Sequence, residues 1–197
     1  NSLESFNSEP IVGDTTLPSA EELRRRTIDH FATQNRAVTQ MDYEALVYAM
    51  PEKFGSVKRC RIIRDPDSLR RNLNLYVVSE DSSGKLATTN TTIKENIKVW
   101  LSRNKMISDT IDILDSKIVN IGIEFEVIAD EEANKFQILS DCTQAVKDKF
   151  SVTPFIGEPV YLTDIYSVLN KVNGVVDTKR VNVIRKTGAN YSSTKFD

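Results

Sequence analysis

The chain is short of the residues that usually announce chemistry. It has two cysteines and one histidine, His30. Cys60 and Cys142 lie far apart, each inside an apolar-periodic segment. Each therefore reads as a small buried hydrophobe rather than half of a disulfide. His30 has no Cys-x-x-Cys or His-x-x-x-His companion, which argues against a structural zinc site. A basic excess is missing as well: 26 Lys and Arg stand against 28 Asp and Glu, for a net charge of −2. With a pI of about 5.6, that balance is not the signature of a nucleic-acid binder. No apolar run approaches the roughly 20 residues that span a bilayer. The polar opening, with Glu4 and Glu9, does not read as a secretory leader. Gly-x-Gly-x-x-Gly, Gly-Lys-Ser/Thr and Gly-x-Ser-x-Gly patterns are all absent, so no phosphate cradle or nucleophile elbow is visible.

What is present is ordinary for a soluble globular protein: 197 residues, 40% apolar and 27% charged. That length suits one large domain or two small ones. A domain of this size buries roughly 70% of its unfolded surface and needs no staples. The chain opens at Asn1 and has polar segments at both ends, 1–16 and 187–197. It reads as a piece of a longer protein.

Periodicity organises the rest. Residues 1–17, with Pro10 and Gly13, read as tail or linker. Ser19 followed by Glu22 is a capping-box pattern, with acids suited to a helix start. Leu23, Thr27, Ile28 and Phe31 supply a modest apolar stripe for a helix from about Ala20 to Thr33, with Arg24, Arg25 and Arg26 on its exposed side. Tyr43, Leu46, Val47 and Met50 lie on one helical face after Thr39, and Pro51 ends that helix.

Two strand-like runs follow, Val57 to Arg64 and Asn72 to Ser79, joined by turn residues at Asp65-Pro66-Asp67-Ser68. Asp81 to Gly84 reads as a loop. A third helix carries Ile93, Ile97, Trp100 and Leu101, capped by Thr91 or Thr92. Ile111 and Ile113 begin extended structure. Ile121, Ile123, Phe125 and Val127 alternate with Gly122, Glu124 and Glu126 as a half-buried strand.

A fourth helix places Phe136, Leu139, Cys142, Val146 and Phe150 on one side, and Pro154, Gly157 and Pro159 break it. A fifth runs from Leu162 through Ile165, Val168, Leu169 and Val172, and Asn173-Gly174 stops it. A last strand, Val176 to Arg185, buries Val181 and Val183. The order α-α-β-β-α-β-β-α-α-β predicts an α+β fold of two small modules, with mixed, mainly antiparallel sheets and helices packed on one face. The expected divisions are 1–35 (tail and linker helix), 36–130 (first module) and 131–197 (second module and tail).

The modules echo each other. Asp42, Leu46, Val47 and Met50 match Asp164, Val168, Leu169 and Val172 at an offset of 122, and Lys58 to Arg64 match Lys179 to Arg185 at 121. Such an echo suits a scaffold.

Several residues are of types that carry chemistry. Glu124 and Glu126 share a strand face about 7 Å apart, and read as the wet side of the strand before an acid–base or metal pair. Asp130, Glu131 and Glu132 favour the fourth helix's N-terminus and lack a calcium-loop pattern. His30 beside Asp29 reads as a solvated residue, and Trp100 as a core anchor. The basic run Lys58, Arg59, Arg61, Arg64, continued by Arg70 and Arg71 and near Tyr76, admits an alternative: a small nucleic-acid- or phospholigand-binding module. Alternation puts Arg59 and Arg61 opposite Cys60 and Ile62, and a charged sheet face that docks on protein or solvent is the preferred reading. No catalytic, cofactor-binding or metal residue is assigned, and the chain reads as a non-enzyme.

Several stretches, in order, resemble the baseplate J-like wedge family of contractile-tailed bacteriophages. They are Ser19 to Arg26, Ala37 to Leu46, Val57 to Arg61, Asn74 to Val78, and Ile93 to Leu101 with Lys105 to Asp109. Gly157-Glu158-Pro159-Val160-Tyr161-Leu162-Thr163-Asp164-Ile165-Tyr166 is the most telling, and Val172-Asn173-Gly174-Val175 closes the series. The likeness covers about residues 18–186. Its charge-rich, glycine-poor character is closest to the large wedge subunits of T-even phages, as a C-terminal-side fragment. Met50 to Gly55 departs from the family, whose turn there is shorter. The resemblance implies a structural role without cofactors: pairing with a second copy as a homodimer and with other wedge subunits, in a ring around the tail hub that rearranges on sheath contraction. It implies a virion location in the tail baseplate, host cytoplasm during assembly, and neither nucleic-acid nor membrane partners.

Overall fold

A computed structural model describes residues 17–65, 72–81, 84–131, 133–151, 154–188 and 191–192. The chain divides into two compact units, Asn1–Ser116 and Lys117–Asp197. The fold is α+β in both, and the predicted order of helices and strands is found with one addition, a two-residue strand at Leu86–Ala87 ahead of the third helix. The turn at Pro66 to Ser68, Arg70, Arg71, Ser82, Ser83, Glu132 and most of both polar tails lie outside the described residues. Among the described residues no helix is long and apolar enough to cross a membrane.

The first unit contains α1 (Ala20–Thr33), α2 (Gln40–Tyr48), β1 (Arg59–Arg64), β2 (Asn72–Glu80), β3 (Leu86–Ala87), α3 (Thr91–Ser102) and β4 (Thr110–Asp115). β2 is central. It pairs antiparallel with β1, Arg61 opposite Tyr76, and parallel with β4, Leu75 opposite Ile113. A parallel pair needs a long crossover, and α3 lies within it. Period-two alternation turns Leu73, Leu75 and Val77 to one face, where they pack with Cys60, Ile62 and Ile111 against Leu46, Val47, Ile93, Ile97 and Leu101 of α2 and α3.

Local chemistry sets the helix ends. Thr39 and Asp42 form a reciprocal capping box at α2. α3 is capped by Asn90, whose side chain accepts from the Thr92 amide, rather than by Thr91 or Thr92. Asn suits this position because its carbonyl oxygen reaches the amide two residues on. The loop from Pro51 carries a short 3-10 turn, Glu52–Phe54, and Gly55 closes it at φ 95°. That conformation favours glycine.

The second unit contains β5 (Ile121–Ala129), α4 (Lys135–Lys149), α5 (Leu162–Leu169) and β6 (Val175–Arg185). β5 and β6 form a two-stranded antiparallel sheet with bulges after Glu126 and Ile128. Its core joins Ile138 and Cys142 of α4 to Ile165 and Leu169 of α5 and Val181 of β6. α5 ends at Leu169, earlier than the Asn173-Gly174 stop that its apolar spacing predicts. Val172 still packs on the core, from a turn. Gly174 is fixed by two demands: φ is 86°, and a Cβ would fall 2.9 Å from Ile138 Cδ1.

Both expected divisions move. The boundary near Asp130 moves to Ser116, because β5 pairs along its length with β6 and so belongs to the second unit. The linker helix expected within 1–35 is α1, an integral part of the first unit, because Glu22 on it ion-pairs with Arg59 on β1.

Candidate docking surfaces

α1 is mounted in the opposite sense to its sequence expectation. The predicted stripe faces outward: Leu23 is 50%, Ile28 60% and Phe31 86% exposed. At about 100° per residue, Glu22, Arg26, Asp29 and Thr33 lie on the opposite side, and that polar side meets the rest of the unit. Glu22 Oε1 accepts from Arg26 and from Arg59, at 2.6 Å each. The Arg26 guanidinium sits 4.3 Å from the centre of the Tyr48 ring, a cation–π contact. The capping-box pattern is therefore half realised. Ser19 accepts from the Glu22 amide, but the Glu22 carboxylate goes to the two arginines.

The same contacts change the basic strand. Arg59 does not share the exposed face expected with Arg61; it is buried against Glu22, because a guanidinium leaves water only with a carboxylate to meet it. Lys58 is likewise buried, 3.1 Å from Glu80. Arg61 and Tyr76 do lie across from each other, with Leu114 on the far side of Tyr76. Arg61, Ile63, Asn74, Asp112 and Leu114 thus make a mixed face, apolar and of both charges. Two of the run's cations, Lys58 and Arg59, are thus neutralised inside the protein and are not offered to a phosphate.

β1 is protected at its outer edge. The Cys60 amide donates to the Tyr48 hydroxyl at 3.0 Å, and the Ile62 amide to the Glu44 carboxylate at 3.1 Å. Burial pushes the Glu44 carboxyl above its ordinary value, against the opposing pull of the Ile62 amide and the Arg61 charge. Burial also pushes the Cys60 thiol up to about 12, so it is no nucleophile at neutral pH. Both cysteines are free and buried.

Trp100 sits as an anchor: it packs on the first core and its indole N–H donates to the Leu46 carbonyl at 2.8 Å, tying α3 to α2. A cleft of about 330 Å³ is lined by Val38, Gln40, Tyr43, Arg64, Leu73 and Asp109. Its central polar groups are engaged with each other. Tyr43 donates to Asp109 at 2.7 Å, and Tyr43 in turn accepts from the Met106 amide. These residues lie far apart in sequence, and no motif spacing could have paired them.

In the second unit, Glu126 accepts from Lys179 at 2.8 Å and both side chains are exposed. Glu124 lies opposite Asn182 on the same outer face. The pair is a solvated sheet face, and no cluster of three or more metal-ligating side chains occurs among the described residues. His30 is exposed in the last turn of α1. Exposed apolar groups gather on α4 and before α5, where Phe136 is 85% and Tyr161 60% exposed.

No family model matches the sequence, and no curated protein matches it either. Among solved structures, the fold is similar to a chain in the cryo-EM structure of the anti-feeding prophage baseplate, 6-fold symmetrised. The TM-score is 0.58 and the identity 14%, over 87% of this chain and 38% of that one. The chain thus spans well under half the length of that neighbour.

Proposed function

We propose that the chain is part of a structural subunit of a contractile-tail baseplate wedge, of the kind built by the large wedge subunits of T-even phages. In this role it associates with a second copy and with other wedge proteins, in the ring around the tail hub that rearranges when the sheath contracts. It would sit in the virion's tail baseplate after assembly in the host cytoplasm. The observation that carries the reading is the fold likeness, over most of the chain, to a chain of a solved contractile baseplate. The sequence stretches from Ser19 to Val175 support it independently, as does a set of groups engaged in packing rather than arranged around a substrate.

The physical basis of assembly is the α1 stripe. Three large apolar side chains, Leu23, Ile28 and Phe31, are held outward with Arg24 and Thr27 between them, and a partner that covers them removes that apolar surface from water. Sedimentation of the chain at high micromolar concentration tests self-association, and Leu23→Glu with Phe31→Glu tests the surface. We expect a concentration-dependent dimer that the double variant dissociates without unfolding. A strict monomer, alone and with neighbouring tail proteins added, would remove the reading.

A further inference from the structure

The second unit presents an unfinished sheet. Lys186 donates to the Asn120 carbonyl, which sets the phase of the antiparallel ladder. Alternate pairs carry the bonds, so Gly122–Ile184, Glu124–Asn182 and Glu126–Arg180 are bonded pairs. Ile123 and Phe125 then direct their amides and carbonyls away from β6. The other strand confirms the phase: Val181, opposite Phe125, turns its amide outward and donates it to Tyr166.

β6 thus has an outward amide capped by a helix, as β1 has two. Among the described residues no such cap serves β5, and β6 is its sole strand partner. Ile123, Phe125 and Val127 face the core yet stay partly exposed, whereas Leu75 and Val77 of central β2 are fully buried. β5 carries no lysine or proline at this edge, and its only charges are Glu124 and Glu126.

We infer that the outer edge of β5, from about Ile121 to Glu126, receives an extended segment of another polypeptide, one that alternates basic with apolar residues. The charges choose the occupant. Glu124 and Glu126 form an acidic column on the outer face, and the existing neighbour of that column is basic: Arg180 lies opposite Glu126 and Lys179 bonds to it. A third strand on the other side meets the same column and is favoured by cations there. Its alternate residues lie over Ile123 and Phe125, where apolar side chains extend the core. A second copy of β5 fits poorly. Symmetric pairing centred on Glu124 or Phe125 sets glutamate against glutamate, and pairing centred on Ile123 sets Glu124 against Gly122 and Glu126 against Asn120, so none of these registers gives the glutamates a cation. This inference goes beyond the baseplate reading and does not depend on it.

The probe is a labelled seven-residue peptide alternating lysine and valine, added to the full chain and followed by fluorescence anisotropy and amide exchange. We expect binding that slows exchange at Ile123 and Phe125 but not through new bonds at Glu124. In an antiparallel register the residues over Ile123 and Phe125 turn their amides to β5, so N-methylation of the peptide's valines should abolish binding, while N-methylation of its lysines should not. Glu124→Lys with Glu126→Lys, on a solvated face, should weaken the lysine peptide at least tenfold and favour a glutamate–valine peptide. Absence of binding at millimolar peptide would overturn the inference. So would binding indifferent to which residues are methylated, which is mere charge attraction, or self-association of the chain that competes with the peptide. None of these results would touch dimerisation through α1, which sedimentation reads separately.

Discussion

The two units solve the same problem with different completeness. Each lays helices on one face of a sheet and uses helical side chains to occupy outward amides of a strand: Glu44 and Tyr48 on β1, Tyr166 on β6. The first unit has a central strand with neighbours on both sides, and Leu75, Val77, Ile97 and Leu101 are fully buried around it. The second has two strands among the described residues, and much of its core is partly exposed. Two strands are marginal without a covering layer, so α4 and α5 carry more of the second unit's stability. The difference teaches that burial follows from a strand having two neighbours more than from its apolar content, since β5 is as apolar as β2.

The largest effect is expected where the first unit has committed charge. Removing the carboxylate in Glu22→Ala takes a buried ion-pair partner from Arg59, whose side chain is 3% exposed, and should cost about 3–5 kcal/mol. Pairing it with Arg59→Met should restore much of the loss, as urea midpoints would record. If the single substitution is nearly silent, α1 is not held as its geometry indicates.

Next comes a matched pair of cavities. Leu75 and Leu169 are each fully buried, one in each unit. Leu→Ala spans about 2–5 kcal/mol according to how far the site collapses. Leu75→Ala should fall near the top of that range and Leu169→Ala near the bottom, because the thinner core can close around the gap. Calorimetry on both variants checks this; equal losses would break the contrast between the units.

A smaller effect tests what they share. Tyr48→Phe and Tyr166→Phe each delete one hydroxyl that takes a strand amide, and the first keeps the ring that Arg26 covers. Each should cost about 1 kcal/mol, with faster amide exchange at Cys60 and Val181 respectively. The tyrosines are not equivalent in the sequence echo, where Cys60 matches Val181 but Glu44 matches Tyr166. The sheets also connect differently, β1 to the strand after it and β6 to the one before α4. The echo is therefore one of architecture, with each edge capped from its own helical position.

That distinction marks what the residues could reveal in advance. Helix and strand identity was legible because it is local. Ser19 before two acids starts α1, and the Ile121 to Val127 alternation makes β5. The boundary was misplaced because β5's partner lies beyond two helices in the sequence, and no local signal names it. The orientation of α1 was lost for a deeper reason: amphipathic patterning assumes the apolar side goes inward, and only the pairing of Glu22 with Arg59, 37 positions apart, reverses it. The acidic strand face at Glu124 and Glu126 was read correctly as wet. The edge beside it, which has no strand partner on its other side among the described residues, was not, because pairing is a property of sheet topology.

The smallest and sharpest test concerns two carboxylates on α2 that titrate in opposite senses. Burial works against the charge on Asp42, but the Thr39 and Val38 amides, the Thr39 hydroxyl and Arg36 outweigh it and hold the carboxyl below its ordinary 3.8. A depressed carboxyl adds stability above its unfolded value and loses it as pH falls through the folded one. Glu44 is the reverse: burial raises it above its ordinary 4.5, so its contribution is fullest below that value and fades as pH rises through the folded pKa. Asp42→Asn should cost under about 1 kcal/mol at pH 5, as loss of a cap does, and the gap should narrow by pH 3. Glu44→Gln keeps an oxygen for the Ile62 amide, and should gain on the parent between pH 4 and 7. Urea midpoints across that range decide it. Parallel curves for all three proteins would mean that neither carboxylate is held as described, and that the edge of β1 is no better guarded than that of β5.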